Sequence, residues 1–482
     1  MRKAYDVAAV RSAEAALAAQ VLEGTLMARA SAGLARVCVQ LLGTVYGSRV
    51  ALLIGAGDNG GDALYAGALL AARGARVEAV LVQAKAHDGG LAALRAAGGR
   101  VIAVENRSAG TAAVQQADLV VDGIVGIGGR GGLREPAAEL VASIRPGGTW
   151  RVAVDLPSGV DADTGRVEGA AFDADVTVSF GALKPGLVVG RGIERAGIVD
   201  LVDIGLDPFL STPARVSVLE TADVADLWPV PGPDDDKYTR GVVGVAAGSP
   251  GYPGAAVLCT GGALRSGAGM VRYLGEGAAA ASVAAAWPEV VHGDGRVQAY
   301  VVGPGLGTDA GSAAVLRRAL ETDVPVLIDA DALTLLAGNP EWVRGRHALT
   351  VLTPHDREFA RFGSDVGDDR AGAAARLAGE LGVTVLLKGF ATIVAQPDGT
   401  VHANPTGTSW LATAGSGDVL SGIIGTLLAA GLGPQAPVVG AFVHGLAGRL
   451  AALSGPISAM SVATAVPRAV AAVLRPDDRI ES

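Results

Sequence analysis

At 482 residues, half of them apolar, with 70 glycines and only 4% aromatics, the chain exceeds one ordinary core and reads as two α/β domains built on small side chains and tight turns. A formal net charge of -9 disfavours nonspecific nucleic-acid binding and an anionic membrane surface, yet leaves room for an anionic ligand held in a local cradle. The two cysteines, Cys38 and Cys259, lie in helical apolar patterns, as buried thiols in a reducing cytoplasm would, and the six histidines show no zinc spacing.

Along the chain, Met1-Arg2-Lys3 meets Asp6, Arg11 and Glu14 before any signal-like apolar core forms, and no uninterrupted apolar run reaches membrane-spanning length. Residues 10–42 read as helices, with Leu26 and Met27 on the apolar face. Strands are then predicted at 50–54, 77–82, 119–122, 152–155 and 176–180, with Ala- and Leu-rich helices between several of them. Such alternation predicts a parallel sheet covered on both faces. From Leu206 onward, Asp207-Pro208, Thr212-Pro213, Trp228-Pro229-Val230-Pro231-Gly232-Pro233 and Asp234-Asp235-Asp236 form a Pro-rich, acidic joint. The boundary is placed near residue 220, giving domains 1–215 and 220–482. Further strands at 242–246, 300–302, 326–329, 349–352 and 383–387 predict a second α/β layer structure.

In the first domain the predicted strand Ala51-Leu52-Leu53-Ile54 feeds Gly55-Ala56-Gly57-Asp58-Asn59-Gly60-Gly61-Asp62-Ala63, a formal G-x-G-x-x-G. A dinucleotide-binding Rossmann site wants an acidic residue at the end of the next strand, whereas Glu78 stands at its start, and Asp58 and Asp62 put negative charge where a pyrophosphate would sit. A standard NAD-dependent dehydrogenase is therefore not expected. The loop fits better with Asp122-Gly123-Ile124-Val125-Gly126-Ile127-Gly128 and Val154-Asp155-Leu156-Pro157-Ser158-Gly159. All three phrases follow predicted strands and so gather at strand carboxyl ends. Asn59, Asp122 and Ser158 offer hard oxygen ligands for a cation, and Asp155 is left as a candidate acid or base. The alternative is that these residues only cap turns and helices.

These phrases, with Leu26-Met27 and Phe180-Gly181-Ala182-Leu183-Lys184-Pro185-Gly186, resemble the NAD(P)H-hydrate epimerase domain over residues 5–215. The resemblance implies a Rossmann-like three-layer fold. It further implies that hydrated NADH or NADPH is bound by Asn59, Gly60, Gly61, Asp62 and Ala63, by Gly126, Ile127, Gly128, Gly129, Arg130, Gly131 and Gly132, and by Asp155, with potassium at Asn59, Asp122 and Ser158. Ala63, Ile127 and Gly129 depart from the Gly, Thr and Leu frequent in that family.

Near the end of the chain, Ala412-Thr413-Ala414-Gly415-Ser416-Gly417-Asp418 runs into the apolar stretch Val419-Leu420-Ser421-Gly422-Ile423-Ile424. Glycines let backbone N–H groups converge on phosphate oxygens at a helix N-terminus, where the dipole also favours negative charge. Asp418 would repel phosphate, yet it is placed to take a proton from an attacking hydroxyl. Its alternative is a helix N-cap.

Upstream, in order, come Lys237-Tyr238-Thr239-Arg240-Gly241, Gly248-Ser249-Pro250-Gly251-Tyr252-Pro253-Gly254-Ala255, Val302-Gly303-Pro304-Gly305-Leu306-Gly307, Ile328-Asp329-Ala330-Asp331, Thr353-Pro354-His355-Asp356-Arg357-Glu358 and Leu387-Lys388-Gly389. The series resembles the ribokinase-like ADP-dependent NAD(P)H-hydrate dehydratases over residues 220–475. The resemblance implies Asp418 as base and the amides of residues 414–417 as anion hole. It places hydrated-nucleotide contacts at Ala255, Gly305, His355, Asp356, Arg357, Glu358, Phe359, Ala360 and Arg361, as well as at Asp418. It places ADP contacts at Lys388, Gly389, Phe390, Ala391, Thr392, Thr408, Ser409, Trp410, Leu411, Ala412, Thr413, Ala414, Gly415, Ser416 and Gly417, with magnesium on the phosphates. Thr408, Trp410 and Ala414 depart from the common Asn, Gly and Gly. Without the family pattern, Lys388 could equally be a solvated lysine and His355 a helix cap.

The order of the two halves resembles the bifunctional NAD(P)H-hydrate repair enzymes, lyase and isomerase in one chain. Water added across C5=C6 of the dihydronicotinamide ring gives two C6 epimers, and a chiral pocket that dehydrates one rejects the other, so an epimerase completes the repair. The implied partners are hydrated NADH or NADPH and ADP, without nucleic acid or membrane, in a cytoplasmic homo-oligomer. One rival is a hydroxymethylpyrimidine- or thiazole-type kinase with a noncatalytic front domain; another is a noncatalytic binding module. Thr353-Pro354-His355 and residues 302–307 favour the dehydratase.

Overall fold

The computed structural model describes residues 1–475, so the end of the expected second domain at 482 lies outside the described residues. Chain contacts divide the molecule into two units, one of residues 3–215 and the other of Val216 onward together with Met1–Arg2.

After the short β1 (Arg2–Ala4), whose Arg2 belongs to the other unit, the helices Val7–Ala18 and Thr25–Leu42 precede the sheet strands of the first unit. Gly24, in the left-handed region at φ 80°, separates the two helices within the stretch expected to be helical. The strands are β2 (Arg49–Ile54), β3 (Arg76–Leu81), β4 (Arg100–Ile102), β5 (Leu119–Gly123), β6 (Trp150–Val154), β7 (Val176–Phe180) and β8 (Ile198–Val202). They lie in the order β4-β3-β2-β5-β6-β7-β8 with every neighbouring pair parallel, a doubly wound, Rossmann-like sheet.

Alternation of side chains along β2 explains the two covered faces. Val50, Leu52 and Ile54 enter one core with Leu34, Cys38, Leu64 and Leu70, while Ala51 and Leu53 enter the other with Val114 and Leu140. The strand order reverses at β2 and β5. The Asn59 loop, Asp122 and Asp155 all stand at the carboxyl ends around that switch point, where crossovers run to opposite faces and leave a crevice.

The second unit contains β9 (Val216–Val218), β10 (Val242–Ala246), β11 (Met270–Tyr273), β12 (Val291–His292), β13 (Ala299–Val302), β14 (Val326–Ile328), β15 (Thr350–Leu352), β16 (Thr384–Leu387), β17 (Thr392–Ala395) and β18 (Val401–Asn404). Its sheet runs β9-β18-β17-β16-β15-β14-β13-β10-β11-β12. The strands from β12 across to β16 are parallel, and β17 and β18 add an antiparallel hairpin. The helix Ser416–Ala429 is buried from Val419 to its end. It packs on the helix Pro253–Arg265 at backbone distance, because a Cβ on Gly422 would lie 2.1 Å from Cys259 O and one on Gly262 would lie 2.3 Å from Val419 O. Glycine at both positions lets the two helices touch, and this contact fixes the glycine loop in front of Ser416.

Candidate active sites

In the second unit Gly415, at φ 86°, is the N-cap of the helix Ser416–Ala429, and Asp418 lies in its first turn. A side chain on Gly415 would be strained by that φ and would come 2.4 Å from Leu258 Cδ1. Lys388, which follows β16, places its ammonium 2.8 Å from Asp329 Oδ1 and 3.7 Å from Glu358 Oε2. The other oxygen of Asp329 accepts from Ser421 Oγ at 2.7 Å. A Cβ on Gly417 would come 3.4 Å from Lys388 Nζ, which places the lysine against the glycine loop. Burial, reinforced by Asp329 and opposed by Lys388, pushes the Asp418 carboxyl up to about 7. Lys388 keeps its charge: burial works against it, but Asp329 and Glu358 more than compensate and raise its pKa. His444 is driven down to about 4 by burial and sets Nε2 2.9 Å from Ser416 O, tying the first residue of the helix to the next helix, Ala436–Ala452.

In the first unit Asn59 and Asp62 lie in the opening turns of the helix Asp58–Ala72, whose N-cap is Gly57. Asn59 donates from Nδ2 to Val154 O at 2.6 Å, and a Cβ on Gly126 would meet its Oδ1 at 2.3 Å. Asp122 is fully buried. It accepts from Ser158 N at 2.8 Å, Ser158 Oγ at 2.7 Å and Ile124 N at 3.2 Å, and burial outweighs these bonds to push its carboxyl up to about 6. Asp155 follows β6. Its Oδ1 accepts from the Lys184 ammonium, with Ser179 Oγ at 3.3 Å and Phe180 N at 3.2 Å. Lys184 is 1% exposed and also donates to Phe180 O at 3.0 Å.

Asp155 at φ 64° and Ala330 at φ 51° are the non-glycine residues with positive φ among those described, and Ala330 adjoins Asp329. One therefore falls at each site. Left-handed backbone costs an ordinary residue about 1–2 kcal/mol, and surrounding structure must hold it there.

Two family models cover most of the chain: NAD(P)H-hydrate dehydratase over residues 243–467 and YjeF-related protein N-terminus over residues 23–186. The bifunctional NAD(P)H-hydrate repair enzyme Nnr of Mycobacterium leprae is 52% identical over 98% of this chain and 100% of its own. The chain belongs to the bifunctional NAD(P)H-hydrate repair enzymes. The Mycobacterium tuberculosis protein of the same description is 54% identical, covering 90% of each chain. Among solved structures, a ribokinase-like superfamily protein from Enterococcus faecalis aligns with 54% of this chain and 98% of its own, at 24% identity and a TM-score of 0.51, and shows the fold of the second unit.

Seen as a member of these repair enzymes, the chain places its expected site residues in two groups. Asp122 and Ser158 are hydrogen-bonded and Asn59 lies against Gly123, next to Asp122, and against Gly126 of the 126–132 loop, whose Gly131 and Gly132 approach Glu168 instead. Asp418, the residue 414–417 loop, Lys388 and Glu358 form the second group. Asp418 is not a cap, since that place belongs to Gly415. His355 does cap: its Nδ1 accepts from Glu358 N at 3.1 Å, and Glu358 Oε2 accepts from His355 N at 2.9 Å. Lys388 is ion-paired rather than solvated. Ala255 and Gly305 adjoin, because a Cβ on Gly305 would lie 2.8 Å from Ala255 Cβ. Phe390 and Trp410 are 40% and 50% exposed, and Asp356 instead pairs with Arg370 at 2.9 Å.

Sequence reasoning left several residues without a role: Asp329, which anchors Lys388; Ser421, which orients Asp329; His444, which holds the loop from behind; and Lys184, paired with Asp155. Asp329 and Lys184 stood inside quoted phrases, but nothing in the sequence paired them across 59 and 29 residues.

Proposed function

We propose that the first unit interconverts the R and S forms of hydrated NADH and NADPH, and that the second dehydrates the S form at the expense of ADP. The observation that carries the second half is Asp418, in the first turn of a glycine-opened helix, with its carboxyl pushed up to about 7 beside the Lys388–Asp329 pair. Such a carboxylate accepts the proton of the C6 hydroxyl as that oxygen attacks the terminal phosphoryl group of ADP. The phosphoryl-oxygen bond to AMP breaks, the amides of residues 414–417 stabilise the charge on the transferring group, and Lys388 supplies a fixed cation nearby. The N1 lone pair then expels phosphate from C6. Loss of a C5 proton restores C5=C6.

The remaining assignments follow from position. His355, Asp356, Arg357, Glu358, Phe359, Ala360 and Arg361, with Ala255 and Gly305, take the hydrated nucleotide, and the segments 388–392 and 408–417 take ADP. Among the described residues no cluster of three acidic, histidine or cysteine side chains could cage a metal, which suits magnesium held by phosphates and water. Magnesium would screen the phosphate charge.

In the first unit the residues fit potassium. Asp122 is a fully buried carboxylate whose hydrogen-bond partners are all neutral, with Ser158 Oγ bonded to it and Asn59 in the helix start that lies against Gly123. These three would hold a monovalent cation, and its charge would favour the nucleotide pyrophosphate. Asn59, Gly60, Gly61, Asp62, Ala63 and the 126–132 loop line the nucleotide, with Asp155 at the reacting ring. Buried free Cys38 and Cys259 suit a reducing cytoplasm, and a homo-oligomer is expected, which sedimentation of the purified chain reads directly. Among the described residues no helix is long and apolar enough to cross a membrane.

The test is recovery of dihydronicotinamide absorbance from purified R and S hydrates with Mg2+ and either ADP or ATP. This reading expects both epimers to be recovered, with ADP the faster donor. Equal or faster turnover with ATP removes the ADP preference, and phosphorylation of a thiazole or pyrimidine alcohol with no recovery from either hydrate favours the kinase.

A further inference from the structure

One buried acid in the first unit has no structural partner. Asp62 lies one turn beyond Asp58 on the helix Asp58–Ala72, is 7% exposed, and its Oδ1 makes no hydrogen bond. A buried carboxyl oxygen without a donor is costly, so its presence calls for a task. The charged groups that face it are Asp58 from its own helix, Asp155 after β6, and Glu14 from the helix Val7–Ala18; Lys184 is committed to Asp155, and Arg11 faces Glu14. Burial first, then these three carboxylates, hold Asp62 well above the usual carboxyl range and favour its protonated form. Asp155 has the opposite surroundings. Lys184, Ser179 and Phe180 N all donate to its Oδ1. Two facing carboxyls, Asp62 on the helix and short of donors, Asp155 after β6 and supplied with an ammonium, make an acid and base pair.

We propose that Asp62 is the general acid of the epimerase site, delivering its proton to the departing C6 hydroxyl while Asp155 receives the proton of the incoming water. This rests on the epimerase reading given above. The C6–O bond breaks as the N1 lone pair forms N1=C6, and the hydroxyl leaves as water with the Asp62 proton. A water molecule then adds to the other face of the planar C6. Its proton passes to Asp155 Oδ2 and returns to Asp62 through solvent, so nothing is consumed. The oxygen at C6 is therefore replaced in each inversion.

Asp62→Asn and Asp62→Glu, in the full chain, test this without nucleotide, following R to S conversion by chromatography in H2(18)O. The parent should place the heavy oxygen at C6 in step with inversion. Asp62→Asn should lose about 10²-fold or more in kcat with KM unchanged and lose the alkaline fall of the parent profile, while Asp62→Glu, which still carries a proton, recovers part of the rate. Inversion by the parent without oxygen exchange, an Asn variant at the parent kcat, or a loss confined to KM and shared equally by both variants would each overturn the proposal. A parent that does not interconvert the epimers at all would instead remove the epimerase reading on which it stands.

Discussion

Asp418 shows how little of a residue's chemistry its type reveals. Its carboxyl is pushed up to about 7 chiefly by burial, with Asp329 adding to the shift. The base proposed above must be ionised to act, so on that reading dehydration of the S epimer should rise through pH 7 and level off above it, a limb that kcat against pH displays directly. Asp418→Asn should remove that limb and about 10² to 10⁴ of the rate while ADP still binds, as calorimetry would read. Stability should move the other way. A carboxyl whose folded pKa exceeds its unfolded value opposes folding above the folded pKa and not below the unfolded one, so at pH 8 the asparagine chain should melt no lower than the parent. A melting point several degrees lower would mark Asp418 as a structural residue.

The elements act by holding short turns in costly geometry. Gly415 opens its helix at φ 86°, and a methyl group there would strike Leu258. Gly415→Ala should therefore destabilise the second unit by about 1–2 kcal/mol and raise the KM for ADP more than it lowers kcat, because the loop amides move while Asp418 stays on its helix. Epimerisation should be untouched. Unchanged ADP kinetics in this variant would show that the loop does not bind the phosphates. The strands supply the other half of the design. β2, β5 and β6 end together where the sheet order reverses, and this alone gathers the Asn59 loop, Asp122 and Asp155.

At the scale of the whole chain, the two sites divide one substrate pool. Given mixed epimers with ADP and Mg2+, the parent should recover all of the dihydronicotinamide absorbance. Asp155→Asn should stop when the S fraction is spent, and added parent chain should release the rest. Complete recovery by Asp155→Asn at the parent rate would leave Asp155 as no more than a turn residue held at positive φ.

The sequence by itself determined both α/β units, ten of the strands and the phrases that carry the chemistry, because apolar periodicity and glycine punctuation are local signals. The strands it left out are short or lie toward a sheet edge: β4 has 3 residues, and Ile198 in β8 is 73% exposed, so neither shows a buried run. Long-range pairing was not legible. Nothing local links Lys388 to Asp329, Ser421 to Asp329, Lys184 to Asp155 or His444 to Ser416, since each bond is made by strands and helices brought side by side. Only the tertiary structure decided which acids are buried, which are paired with a lysine and which are left without a donor. That decided the protonation of Asp418, Asp122 and Asp62, because burial and neighbouring charge, rather than residue type, set where a carboxyl titrates.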